Sequence, residues 1–165
     1  MAKIETPQQL FRYKLGAALK MEETVLEMLE KLEEKANDSE IKQLLRHHHQ
    51  ETEQQVQNIR RAFDAIGSEA EDQPCPAIEG IEKEGESNLK QVDDTLNDSI
   101  ILGGAVETEH HEIAVYNGLI TKAEAMGEQD VVALLQENLE QEEHTLKEVE
   151  QKAQKLAREM AGATI

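Results

Sequence analysis

Four long stretches of this chain carry apolar residues at helical spacing, and their lengths and connections leave few folds open. Leu10, Leu15, Leu19, Val25, Leu26, Leu29 and Leu32 mark the first, a helix expected over residues 7–36. NDSE then supplies a turn with Asp38 or Ser39 as N-cap. Ile41, Leu44, Leu45, Val56, Ile59, Phe63 and Ile66 carry a second helix over 40–66 that stops at Gly67. A third runs over about 98–126 through Ile101, Ala105, Ile113, Tyr116 and Ile120 until Gly127 ends it. The fourth, 129–160, carries Val131, Leu135, Leu139, Leu146, Val149 and Leu156, and the tail AGATI is expected to fray.

The middle connection, 67–97, is long. Ser68 to Pro76 is polar and holds two prolines, and AIEGIEKEGESNL, with Ile78, Ile81 and Leu89, reads as a short helix broken by its glycines. Two helical hairpins joined by a long crossover containing a short helix is the connectivity of a ferritin-like four-helix bundle. A plain up-down-up-down bundle would use a shorter link, although periodicity alone also allows a helical interaction module. The chain of 165 residues, with 2% aromatics and three prolines, fits one all-α domain over 1–165.

The net charge of −18 repels phosphate backbones and anionic lipid, so neither nucleic acid nor a membrane surface is an expected partner. The single cysteine, Cys75, has no internal disulfide partner and reads as a small buried hydrophobe. An apolar signal core at MAKIETPQQL and an apolar run of about 18 residues are both lacking, so a cytoplasmic protein is expected.

Each apolar stripe runs into glutamate, and polar groups on a buried face need a reason. Leu15, Leu19, Val25 and Leu29 bracket Glu22, while Leu135, Leu139, Leu146 and Val149 bracket Glu142. The third stripe carries Glu109 and Glu112 one turn apart, and the second carries His48 and Glu51. Counted from the hairpin turns, Glu22 lies about 14 residues before one turn and Glu51 about 11 after it; Glu112 and Glu142 lie about 14 and about 13 from the other. The four helices can therefore present their carboxylates in one layer, and all six histidines fall at or near the same level. Like charges gathered in a core force protonation unless a cation neutralises them. Two divalent metal ions resolve the conflict, and a carboxylate-rich, nitrogen-poor set favours Fe or Mn over zinc.

The remaining polar candidates have plainer readings. Consecutive helical residues point about 100° apart, so His47 and His49 flank His48 without sharing its direction. His110 and His111 flank the glutamates of the third helix, one of them expected near the site and the other in solvent. His144 lies off the fourth stripe, and Tyr116 reads as a core tyrosine rather than a redox partner.

The segments His48-His49-Gln50-Glu51-Thr52, FDAIG, Cys75 ahead of EGIEKEG, Glu109-His110-His111-Glu112-Ile113-Ala114-Val115-Tyr116 and LEQEE around Glu142 together resemble the YciF-type bacterial stress protein family of the ferritin-like superfamily. The likeness runs from about Leu10 to Leu156. It implies a rubrerythrin-like bundle with a dimetal centre and a homodimer, with Glu22, Glu51, Glu109 and Glu142 in the one-carboxylate-per-helix positions and His48 and Glu112 as additional ligands. The order departs from the common pattern: two helices usually carry Glu-x-x-His, but here the second reads His48-x-x-Glu51, and Thr145 stands three residues after Glu142. The expected function is metal binding in the bundle core, in a stress setting, with oxygen- or peroxide-linked metal oxidation of a weak ferroxidase or peroxidase type left open. The alternative is a helical stress or interaction protein whose site is structural or vestigial, and a catalase-like use of manganese ranks last.

Overall fold

Five α-helices and one short 3-10 turn make up the computed structural model, which describes residues 3–162 and contains no strand among them. The first helix, α1 (Pro7–Lys35), starts on a capping box. Thr6 Oγ1 accepts from the Gln9 backbone N–H at 3.1 Å, the Gln9 side chain accepts from the Thr6 N–H at 3.2 Å, and Pro7 occupies the first turn, where no N–H is needed. In α2 (Ser39–Ala65) the N-cap is Asp38, whose carboxylate accepts from the N–H groups of Glu40 and Ile41 at 2.7 and 3.1 Å. Gly67, at φ 65°, lies just past its end.

The crossover leaves α2 and is pressed against α1 at Gly16. There the Gln73 N–H donates to the Gly16 carbonyl at 3.0 Å, and a Cβ added at Gly16 would meet the Glu71 carbonyl oxygen at 2.4 Å. Next comes α3 (Pro76–Leu89), a continuous helix of 14 residues that its glycines do not break. Each glycine in a helix costs about 1 kcal/mol relative to alanine. Offsetting this, Pro76 starts the helix, Ile78 is buried, and Lys31 of α1 pairs with Glu82 and Glu86 at 2.8 and 3.2 Å. A 3-10 turn, Asp94–Leu96, then leads into α4 (Asn97–Met126), which Gly127 closes in the left-handed conformation, φ 78°. The last helix, α5 (Gln129–Gly162), extends into the AGATI tail; Ala163, Thr164 and Ile165 lie outside the described residues.

The crossover runs the length of the bundle, because the start of α4 is tied to the α1–α2 turn. Asp98 accepts from the N–H groups of Asn37 and Asp38 at 2.7 and 3.0 Å, and the Asn97 amide donates to the Lys35 carbonyl at 3.2 Å. Thus α2 and α4 run parallel, each antiparallel to its hairpin partner, and α1 packs on α2 and α4 while α5 packs on α4 and α2. The result is a ferritin-like four-helix bundle of two hairpins with one long crossover, on which α3 lies against α1 and α4.

Large apolar side chains fill the bundle on both sides of its middle. Phe11, Leu15, Leu19, Ile59, Phe63 and Leu135 are buried toward one end, and Leu29, Ile41, Leu45 and Ile101 toward the other. Burying each such side chain contributes about 1.5–3 kcal/mol. Cys75 is a buried free thiol within this core. Among the described residues, no helix is long and apolar enough to cross a membrane.

Candidate metal centre

Between those two apolar ends lies a layer that hydrophobic packing does not explain. Glu22, Glu109, Glu112 and Glu142 are 0% exposed and His48 is 4% exposed, with α1, α2, α4 and α5 all contributing. His48, Glu109, Glu112 and Glu142 each present an atom within 4.8 Å of one another. His48 Nδ1 is 3.3 Å from Glu109 Oε1, and its Nε2 is 3.6 Å from Glu142 Oε2, so one imidazole lies between carboxylates of two helices.

The other two sequence candidates border this group. Glu22 lies beside Glu112 and Glu142, and Oε1 of its carboxylate accepts the Tyr116 hydroxyl. Glu51 is near enough to act on Glu109 but is only partly buried, its side chain 16% exposed. Thr145 donates to Glu51 Oε2 at 3.2 Å, and His47 Nε2 lies 3.4 Å from Oε1. The structure thus gathers all six candidates, four tightly and two at the margin.

Electrostatics sharpen the oddity. Burial first, then the nearby charge of Glu142, pushes Glu22 up to about 8 against the Tyr116 hydrogen bond that pulls it down. The same two causes, in the same order, hold Glu109 and Glu112 well above the carboxylate range, and burial holds Tyr116 well above the usual phenol value. Both carboxylate oxygens of Glu109, Glu112 and Glu142, one of Glu22 and Nε2 of His48 are buried without a hydrogen-bond partner. Such groups are costly unless something satisfies them. Buried carboxylates and an imidazole converging from different helices are a donor set that could hold a metal ion.

The other histidines stay outside. His47, His110 and His144 are exposed beside Glu51, Glu150 and Glu148, and His49 is half-buried facing Glu30. His111 is half-buried, its Nε2 lacks a partner, and burial lowers its pKa.

One turn from the cluster lies a second polar layer that sequence reading did not assemble. Tyr116, Gln55, Asn138 and Asn58 are all fully buried. Asn138 Nδ2 donates to the Tyr116 hydroxyl at 3.0 Å and to the Gln55 carbonyl at 3.2 Å, and Asn58 Nδ2 donates to Asn138 Oδ1 at 2.8 Å. Neither side-chain amide atom of Gln55 has a partner. The available signal was Asn138, which sits on the α5 stripe one turn before Glu142.

The fold and this layer define an all-α, ferritin-like bundle with a buried carboxylate–histidine cluster. The chain belongs to the DUF892 family, described as a domain of unknown function, whose sequence model matches residues 6–162. It is similar to Protein YciF of Escherichia coli strain K12, 26% identical over 144 residues covering 86% of this chain and 87% of YciF. The crystal structure of the E. coli stress protein YciF superposes with a TM-score of 0.86 at 26% identity, covering 91% of this chain and 96% of that one. YcfI from Rhodopseudomonas palustris, named provisionally as a structural protein, superposes with a TM-score of 0.87 at 31% identity, over 90% of this chain and 95% of that one. A Xanthomonas campestris protein shares the fold alone, at 20% identity and a TM-score of 0.75 over 96% of this chain and 99% of that one.

Proposed function

We propose that this protein binds two divalent metal ions, Fe or Mn, in the middle of its bundle, with Glu22, His48, Glu51, Glu109, Glu112 and Glu142 as ligands. The observation that carries this reading is the set of buried, unpartnered oxygens on Glu109, Glu112 and Glu142 facing His48 within 4.8 Å. Carboxylates so placed stay ionised only beside a cation, and without one they must hold protons. Bound Fe or Mn would supply one-electron redox chemistry toward oxygen or peroxide. The chain's part is to fix the donor atoms and to exclude bulk water with the buried layers on either side. The likeness to a stress protein supports a role in a stress setting, and we extend the reading to a cytoplasmic homodimer.

The test is metal analysis of purified protein, before and after reconstitution with Fe(II) or Mn(II). About two ions per chain are expected, with a marked loss in Glu109→Ala and a smaller one in Glu51→Ala. Protein that takes up neither metal, or that keeps its content in both variants, would sink the proposal. Sedimentation equilibrium checks the dimer, which a monomer at micromolar concentration would exclude.

A second reading is favoured by the provisional naming of YcfI as a structural protein. Here the metals brace the bundle and no catalysis occurs. Metal would then raise the melting temperature, while oxygen or peroxide consumption would match a Glu109→Ala control.

A further inference from the structure

We infer that Tyr116 and Thr145 are positioning residues that restrict Glu22 and Glu51 to one metal-binding oxygen each, leaving Glu109, Glu112 and Glu142 free to chelate or bridge. This rests on the metal-binding reading above and adds a division of labour among the glutamates.

The division follows from counting protons along the buried layer. Asn138 spends its Nδ2 hydrogens on the Tyr116 hydroxyl oxygen and the Gln55 carbonyl, at 3.0 and 3.2 Å. Its Oδ1 accepts from Asn58 at 2.8 Å, which sets the orientation of the amide. Asn58 is held in turn, because its Oδ1 accepts from Gln54 and Arg61 at 3.1 and 3.2 Å. The Tyr116 oxygen therefore already accepts a hydrogen bond, and its single O–H is left to point elsewhere. It donates to Glu22 Oε1. Glu22 Oε2 remains buried with no partner, the one oxygen of that carboxylate still open.

Thr145, buried at 2% exposure on α5, occupies Glu51 Oε2 by donating to it at 3.2 Å, which leaves Oε1, 3.4 Å from Nε2 of the exposed His47, as the oxygen for metal. No hydroxyl donor holds Glu109, Glu112 or Glu142, whose oxygens have no hydrogen-bond partner; beside Glu109 and Glu142 lies the His48 imidazole, itself a proposed ligand. Partners of this kind fix ligand orientation, and their loss typically costs about 10- to 100-fold in metal affinity.

Co(II) is the probe, because its visible absorption weakens as coordination number rises. Tyr116→Phe keeps the ring and removes the hydroxyl that donates to Glu22 and accepts from Asn138, so a second Glu22 oxygen can enter the coordination sphere. The variant is expected to bind as many Co(II) ions as the wild type, about 10-fold more weakly, with weaker and shifted bands. Thr145→Val is expected to do likewise through Glu51, and it decides the matter should Tyr116→Phe lose its helical circular dichroism. A folded variant whose isotherm and spectrum overlay those of the wild type overturns the inference while leaving metal binding intact. Wild-type protein that takes up no Co(II), or a Glu109→Ala variant that binds it undiminished, fails the metal reading itself and the inference with it.

Discussion

Raising the pH from about 6.5 to about 7.5 should destabilise this protein when it is metal-free and stabilise it when metal is bound. In the metal-free fold Glu22 titrates near 8, and Glu109 and Glu112 lie well above the carboxylate range, for burial first and the Glu142 charge second. The folded state thus keeps protons that the unfolded chain has already released, so the stability these groups give below their unfolded values is lost as pH climbs toward the folded ones. Each such group contributes about 1.4 kcal/mol per pH unit. Glu22, titrating near 8, loses about 1 kcal/mol over that unit, and the raised Glu109 and Glu112 act in the same direction. For a domain of this size 1 kcal/mol moves Tm by about 2–4 °C, so a fall of about 3 °C is the minimum expected.

The window is chosen to isolate the carboxylates. Asp38, Glu40 and Asp93 have lowered values, so their contribution is lost only in acid. His111, lowered by burial, adds stability as pH rises through its ordinary value of 6.5, opposing the carboxylates, and the double variant leaves that contribution in place. Thermal unfolding of chelator-treated protein, followed by circular dichroism, measures the slope. The Glu109→Gln/Glu112→Gln variant keeps every surface histidine and should flatten it. Added Mn(II) should reverse it, because metal displaces the protons and binding tightens with pH. A metal-free Tm that is level or rises with pH would refute the reasoning, as would an equal slope in the double variant.

Other outcomes follow from single contacts. Asp98→Ala strips the partner from two backbone N–H groups at the α1–α2 turn and should cost about 1–3 kcal/mol, read by urea denaturation. Gly16→Ala places a Cβ 2.4 Å from the Glu71 carbonyl, so the crossover must lift from α1; about 1–3 kcal/mol of stability and earlier proteolysis near residue 71 are expected. Leu135→Ala, at a fully buried site beside the polar layer, should cost about 2–5 kcal/mol in the same denaturant assay.

Helix periodicity and spacing carried the reading a long way in particular places. The stripe through Leu135, Leu139, Leu146 and Val149 contains Glu142, and one wheel per helix sufficed to turn Glu22, His48, Glu109 and Glu112 inward, where they lie. The same geometry reduced the His47–His49 triplet to one inward residue, because three neighbours on a helix cannot share a direction. It misjudged α3, where local propensity at Gly80 and Gly85 argued for a break. Tertiary contacts from α1 outweighed that cost of about 1 kcal/mol per glycine.

What the sequence by itself determined was the set of helices, their inward faces and the level at which the carboxylates sit, since each depends on residues within a few turns of one another. Only the tertiary structure decided which oxygens of Glu22 and Glu51 are taken and which glutamates keep both free. Tyr116 and Glu22 lie 94 residues apart, as do Thr145 and Glu51, and Asn58 and Asn138 lie 80 apart. A hydrogen bond needs its atoms placed within a few tenths of an ångström and correctly aimed. That placement depends on how four helices rotate against one another in the packed bundle, which no one helix's periodicity specifies.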